Sequence, residues 1–228
     1  MKGNRLFSRR FGYMLIFPSA IVFLIVSIYP LLTGIMLSFQ NSSLYKGDEK
    51  KFVGLKNIIT ILTSDAEFRS DLLFTVIYTI GIVVIAYITG LVFSLLLNTD
   101  VPCRTLFRVL ILIPWVISPA VSSMSWSWLL SDQYGFFNNF LKSIGVIDKS
   151  ILFLADKTLA KIMVIIIGAW RNFPFITVSL LAGLQGISKD YYEAADIDGA
   201  NKFQRFRYVT FPHLKNVSII TITLVSIW

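Results

Sequence analysis

The sequence predicts an all-α fold, a polytopic bundle of helices in a membrane, and three observations carry that prediction. Apolar residues make up 55% of the 228-residue chain and charged residues only 15%, with a mean hydropathy of +0.71; soluble domains have an apolar share of ~45–50%. The apolar residues are gathered into blocks. Runs of 29 residues (Phe11 to Phe39), 27 (Leu72 to Asn98) and 23 (Val109 to Ser131) contain no Asp, Glu, Lys or Arg, and a fourth, between Lys161 and Lys189, is interrupted only by Arg171. Crossing a bilayer core of ~30 Å takes about 20 apolar residues as a helix. None of the blocks alternates with period two or keeps a polar face, which argues against barrel strands and soluble amphipathic helices. A fifth block begins at Asn216 and runs to Trp228. The expectation is four full spans and part of a fifth.

Taken in order, the first block is too long for the ~7–15-residue apolar region of a signal peptide, so it is a retained span. At ~1.5 Å per residue it is about 43 Å long, and must tilt, project from the bilayer, or kink at Pro18 or Pro30. Lys2, Arg5, Arg9 and Arg10 precede it without an acid, which favours a cytoplasmic N-terminus. Residues 40–71 and 132–160 then lie outside, and 99–108 and 185–215 inside. The inside segments carry eleven Lys and Arg against nine outside, so the N-terminal cluster decides the orientation. Trp115, Trp126 and Trp128 flank the third span as aromatic-belt residues do. Segment 136–146, FFNNFLKSIGV, has a helix-face pattern suited to the outer interface or to an ordinary packed loop helix.

Several function classes drop out on composition. The net charge of +8 is scattered among the spans and forms no continuous basic face, so nucleic acid is not a partner and anionic lipid headgroups are. A single cysteine, Cys103, leaves no disulfide framework and no cysteine-based metal site. One histidine and one cysteine, far apart, give no catalytic constellation, and none of the spans holds an Asp or Glu of the kind a proton- or sodium-coupled transporter needs. His213 reads as a helix-start residue.

The most polar stretch is 188–212, SKDYYEAADIDGANKFQRFRYVTFP. Ser188 is a good N-cap, with Asp190 in the first turn where a negative charge suits the helix dipole. A short helix can run to Asp198, with Gly199 at the left-handed position that ends it. Asn201 offers a second N-cap with Gln204 in capping-box register, and a second helix can carry Phe203, Phe206 and Tyr208 as far as Pro212. Four bases and four acids cancel between 189 and 212, which argues against a DNA-binding helix–turn–helix. A solvated connector would need only two or three residues. A docking element for a partner, pinned between two spans, fits the small residues, the aromatics and the paired charges together.

This stretch resembles the EAA loop of permease subunits in binding-protein-dependent ABC importers. Glu193, Ala194, Ala195, Gly199, Ala200, Phe206 and Pro212 match its pattern, and LLAGLQGISKDYY extends the match upstream. FGYMLIFPSAIVFLIVSIYPLLTGIMLSF, FVGLKNI, RVLILIPWVISPAVSSMSWSWLL and GFFNNFL are similar to the carbohydrate-uptake branch, in particular to the first of its two paired permeases. The resemblance implies a bundle of the type I importer kind, one transmembrane domain over 1–228 with the EAA helix–turn–helix at 188–212. It implies that residues Glu193 to Ala200, Asp198 included, dock in a cleft of a cytosolic ATPase dimer. It also implies a second permease subunit and an extracytoplasmic solute-binding protein in a prokaryotic cell membrane. The chain has no Gly-rich phosphate loop ending in Lys-Ser/Thr, so ATP is expected on the partner subunit, with no cofactor or metal on this one. An importer for peptides, phosphate or metal complexes is the alternative.

Arg171 falls in the middle of the fourth span, where an ionisable residue should face a cavity or a partner. Trp170, Arg171 and Asn172 are therefore candidates for the solute path, with the indole stacking on a sugar face. In the competing reading Pro174 breaks the helix and Arg171 serves the freed carbonyls or reaches outward. The importer core has six spans, so the 13 residues after Lys215 read as a truncated fifth.

Overall fold

The computed structural model describes residues 9–41, 51–99 and 102–228. Lys2 and Arg5, on which the orientation partly rests, lie outside them. The chain divides into two compact units with their boundary between Leu73 and Phe74.

In the first unit, helices α1 (Arg9–Phe23) and α2 (Tyr29–Ser38) are joined through a wide π turn at Leu24–Ile28 into one 28-residue apolar rod from Phe11. Pro30 causes the turn. Its ring nitrogen cannot donate to the carbonyl four residues back, so the ladder slips by one and the Tyr29 N–H donates to Leu24 O instead. Pro18 sits inside α1 without ending it. A two-residue hairpin follows, β1 (Gln40–Asn41) antiparallel to β2 (Lys51–Phe52), with Gln40 opposite Phe52. Asn57 Nδ2 donates to Ser38 O and Gln40 O and ties the next helix, α3 (Lys56–Ser64), to the hairpin. The sequence reading treated 40–71 as an outer loop and missed α3. Helix α4 (Ala66–Leu97) starts six residues before its apolar run, because Asp65 Oδ1 accepts the Phe68 N–H and opens the helix early.

The second unit holds α4 from Phe74 onward, α5 (Arg104–Val116), α6 (Pro119–Leu129), α7 (Phe136–Ser143), α8 (Lys157–Gln185), α9 (Lys189–Ile197), α10 (Lys202–Arg205) and α11 (Phe211–Ile227). Its core forms where α4, α8 and α11 meet. The buried residues of α4 are Ile82, Ala86, Gly90, Ser94 and Leu97, a single face of the helix, and the middle three are small. Small side chains let backbones approach, which is how helices pack where lipid removes the hydrophobic drive. A Cβ at Gly90 would stand 2.8 Å from Ile176 Cγ2 and 3.2 Å from the Phe173 carbonyl. Helix α11 buries Leu214, Ser218, Thr221 and Val225, again one face. The buried hydroxyls are satisfied locally or across helices: Thr177 and Thr221 donate to the carbonyls four residues back, and Tyr87 Oη meets Ser218 Oγ at 2.7 Å. The large apolar side chains on the outer faces of these helices are exposed, as they are where the solvent is lipid.

Two expectations need correcting. The run Val109–Ser131 is not one straight span: α5 and α6 meet at 94° across Ile117 and Ser118, both extended. Pro119 explains the break, since it disfavours α conformation at Ser118 and supplies no donor in the first turn of α6. Among the described residues three helices are long and apolar enough to cross a membrane, and four if this bent pair is one span. Pro174, by contrast, does not break α8, which runs unbroken for 29 residues, so the freed-carbonyl reading of Arg171 loses its premise. Segment 136–146 does form a helix, α7, shorter than drawn. It is anchored by the buried Asn138, whose amide donates to Ser131 O and Ile151 O and accepts the Ile151 N–H.

Candidate functional site

Two places carry function-bearing geometry, the polar helix–turn–helix after α8 and a cavity inside the second unit. The first is built as its sequence dictates. Ser188 Oγ accepts from the Asp190 N–H and donates to Asp190 Oδ2. At the other end of α9, Gly199 has φ +74°, the Gly199 N–H donates to Asp196 O, and the Ala200 N–H donates to Ala195 O. That pair of bonds is the Schellman arrangement, and glycine adopts the left-handed residue it requires at no steric cost. Asn201 and Gln204 then exchange side-chain and backbone bonds at 2.8 and 2.9 Å, a complete capping box opening α10.

The second helix does not stop at Pro212. It passes through a π turn at Phe206–Thr210 into α11, with the Phe211 N–H reaching Phe206 O. Pro212 takes a first-turn position of α11 and, like Pro30, is preceded by an aromatic and a π turn.

Three contacts join α9 to the continuous helix that follows. Arg205 Nη1 lies 2.6 and 2.8 Å from the two carboxylate oxygens of Asp196. Tyr192 Oη meets the buried Thr210 Oγ1 at 3.1 Å, and the Tyr191 ring packs 4.8 Å from that of His213. His213 also bonds Val209 O through Nδ1, in keeping with a helix-start role. These contacts leave the opposite side of α9 free. Glu193, Ala194, Asp198 and Gly199 are exposed, and Ala195 and Ala200 half-buried. Phe206 packs on Phe211, and Pro212 is exposed. Ile197, Phe203 and Tyr208 are 86%, 72% and 75% exposed. Three large apolar side chains on an otherwise polar segment make a surface fit for a protein partner. The sequence reading passed over Ile197, whose signal is its place beside the glycine that ends the helix.

The cavity, about 480 Å³, is lined by Tyr78, Ser122, Ser123, Trp126, Arg171 and Asn172 among others. The Nε of Arg171 and the hydroxyl of Ser122 are buried there with no partner. Asn172 Nδ2 donates to Gly168 O at 2.8 Å. Trp170, expected to present its ring to a solute, instead meets Trp126 edge-on at 5.3 Å, and Phe137 stacks on Trp126 at 6.0 Å. Trp126 is thus the clamped indole at the cavity, and Trp170 its buttress. Of the three expected belt tryptophans, only Trp128 stands clear of the cavity; Trp115 lines it as well. The signal for Trp126 lies in SSMSWSW, where Ser122 and Ser123 sit four and three residues before it on the same helix face.

Comparison with known proteins places this architecture. Residues 71–228 match the family model of the binding-protein-dependent transport system inner membrane component. The trehalose/maltose transport system permease protein MalF of Thermococcus litoralis is 36% identical over 96% of this chain and 72% of its own length. The Escherichia coli inner membrane ABC transporter permease protein YcjO is 33% identical over 99% and 78%. The maltodextrin transport system permease protein MalC of Streptococcus pneumoniae is 30% identical over 95% of this chain and 53% of its own. The fold agrees with the crystal structure of a bacterial ABC transporter involved in import of the acidic polysaccharide alginate, with a TM-score of 0.79 over 94% of this chain and 71% of that one, at 21% identity. Fold and relatives together define a membrane permease. The chain belongs to the binding-protein-dependent transport system inner membrane component family.

Proposed function

We propose that this chain is one of two paired transmembrane permease subunits of an ATP-driven importer for a sugar or related solute. The observation that carries the reading is α9: a capped helix closed by a left-handed glycine, fastened on one side to the helix that becomes α11 and bare on the other. In this reading the bare side, Glu193 to Ala200 with Ile197, docks in a cleft of a cytosolic ATPase. Closure of the ATPase dimer pushes α9, and the contacts of Tyr191, Tyr192 and Asp196 pass the push to α11. ATP is hydrolysed on the partner. A solute-binding protein delivers the solute on the other side of the membrane, and the N-terminus is cytoplasmic.

A sugar is the favoured solute on two grounds. The named relatives transport trehalose, maltose and maltodextrin. The cavity offers a clamped indole for a sugar face, and beside it hydroxyls, an amide and a guanidinium with unspent hydrogen-bonding capacity. A lone Arg with no carboxylate in the lining also disfavours cations.

The test is uptake in cells carrying the whole transport system. Gly199→Val forces a branched side chain into the left-handed region, and Glu193→Lys reverses the charge on the docking side. Both are expected to abolish uptake while the protein remains in the membrane. Normal uptake in both variants would sink the coupling role.

A further inference from the structure

The geometry points to a binding site for a phosphate-class anion at the end of the second unit that carries the helix–turn–helix, formed by Arg104, Arg108 and Gln185. Arg104 and Arg108 are one turn apart on the same face of α5, and Gln185 is the last residue of α8, three before the N-cap of α9. With its amide oxygen turned toward them, Gln185 accepts from Arg104 Nη2 at 3.3 Å and from Arg108 Nη2 at 3.0 Å. Both guanidiniums are half-buried, and the Nε of each is buried with no partner. Among the described residues the one ion pair is Arg205 with Asp196, so neither cation has a counter-charge.

Two like charges converging on one neutral oxygen repel each other and leave most of their donors unused. The helix termini do not resolve this. The N-terminus of α5 and the C-terminus of α8 meet here with partial charges of opposite sign, about half a unit each, and largely offset one another. What is missing is an acceptor with negative charge and several oxygens. A phosphate group meets both needs, since its oxygens match the planar fork of arginine and one group can bridge two forks. The site opens at the membrane end of α5, directly before the apolar run that starts at Val109, so a phospholipid headgroup or free phosphate could supply the group.

Purified full-length protein in detergent decides between them. The lipid probe is phosphatidylglycerol, with phosphatidylcholine as the neutral comparison, and retained lipid is counted by native mass spectrometry. The free probe is inorganic phosphate at constant ionic strength, read as a rise of the melting midpoint of about 3–6 °C. The expected result is a response to at least one probe that falls by more than half in Arg104→Gln/Arg108→Gln and survives in part in Arg104→Lys/Arg108→Lys. Response to phosphatidylglycerol alone assigns the lipid, and response to phosphate alone the free ion. Equal responses in wild type and the glutamine variant overturn the proposal. So does silence of the wild type toward both probes with a response gained in Asp100→Asn, since that acid, outside the described residues, would then fill the site itself. If the glutamine pair fails to fold, Arg104→Gln and Arg108→Gln are tested singly, each expected to lose at least half of the response.

Discussion

At the scale of single residues, glycine and proline decide more here than the large side chains do. Gly90 is the closest approach of α4 to α8, and a Cβ there would meet Ile176 at 2.8 and 2.9 Å. Gly90→Ala must push the two helices apart or force Ile176 off its rotamer, at a cost of ~1–3 kcal/mol. Its melting midpoint in detergent should fall by several degrees, whereas Gly12→Ala, which has open space, should melt with the wild type. Equal midpoints for the two variants would show that α4 and α8 are not in this contact. Gly199 was legible in the sequence, because a helix-ending glycine between two cap residues announces itself. Gly90 was not. A glycine within an apolar run carries no mark of which neighbour it must admit until the partner helix is in place.

At the scale of elements, α9 and the helix after it act through the contacts between them. Arg205 with Asp196 is the charged member, half-exposed, so its stabilising effect is modest, and its value is in fixing the angle of α9. Arg205→Asp is expected to lower uptake severalfold. The double exchange Asp196→Arg/Arg205→Asp should recover much of it, because the attraction returns with the same geometry. No recovery in the double variant would mean that the pair is incidental to transport. The caps of these helices could be read in advance since they rest on local chemistry: Ser188, Asn201 and Gln204 act on backbone groups two or three residues away. What could not be read was continuity. Pro212 looks like a stop, and only a π turn that absorbs its missing donor lets the helix run on into α11. The same limit hid the break between α5 and α6, since hydropathy measures the length of a run and not its straightness.

At the scale of the whole molecule, the fold class followed from composition and block lengths alone, while the inside of the bundle did not. Trp126 and Trp170 are 44 residues apart in the chain, and nothing in periodicity says which of two tryptophans faces a cavity and which supports it. Orientation in the bilayer is open to direct measurement. Cys103 is the only cysteine and is exposed in the turn before α5, on the side predicted to be cytoplasmic. A membrane-impermeant maleimide should label it in inverted vesicles and not in intact spheroplasts. The reverse pattern would place the N-terminus and the helix–turn–helix outside and remove the ATPase from reach of α9.

The two π turns bear on the gene as well as the protein. Each holds one residue more than an α-helix would spend on the same turn, at Leu24–Ile28 and at Phe206–Thr210. Loss of a single codon from the second stretch would leave a regular helix, yet rotate everything after it by about 100°. Leu214, Ser218, Thr221 and Val225 would swing away from the core together. Missense changes at the exposed positions of the same stretch alter one side chain and leave that face where it is. Over these five codons the reading frame tolerates spelling errors far better than it tolerates a change in count.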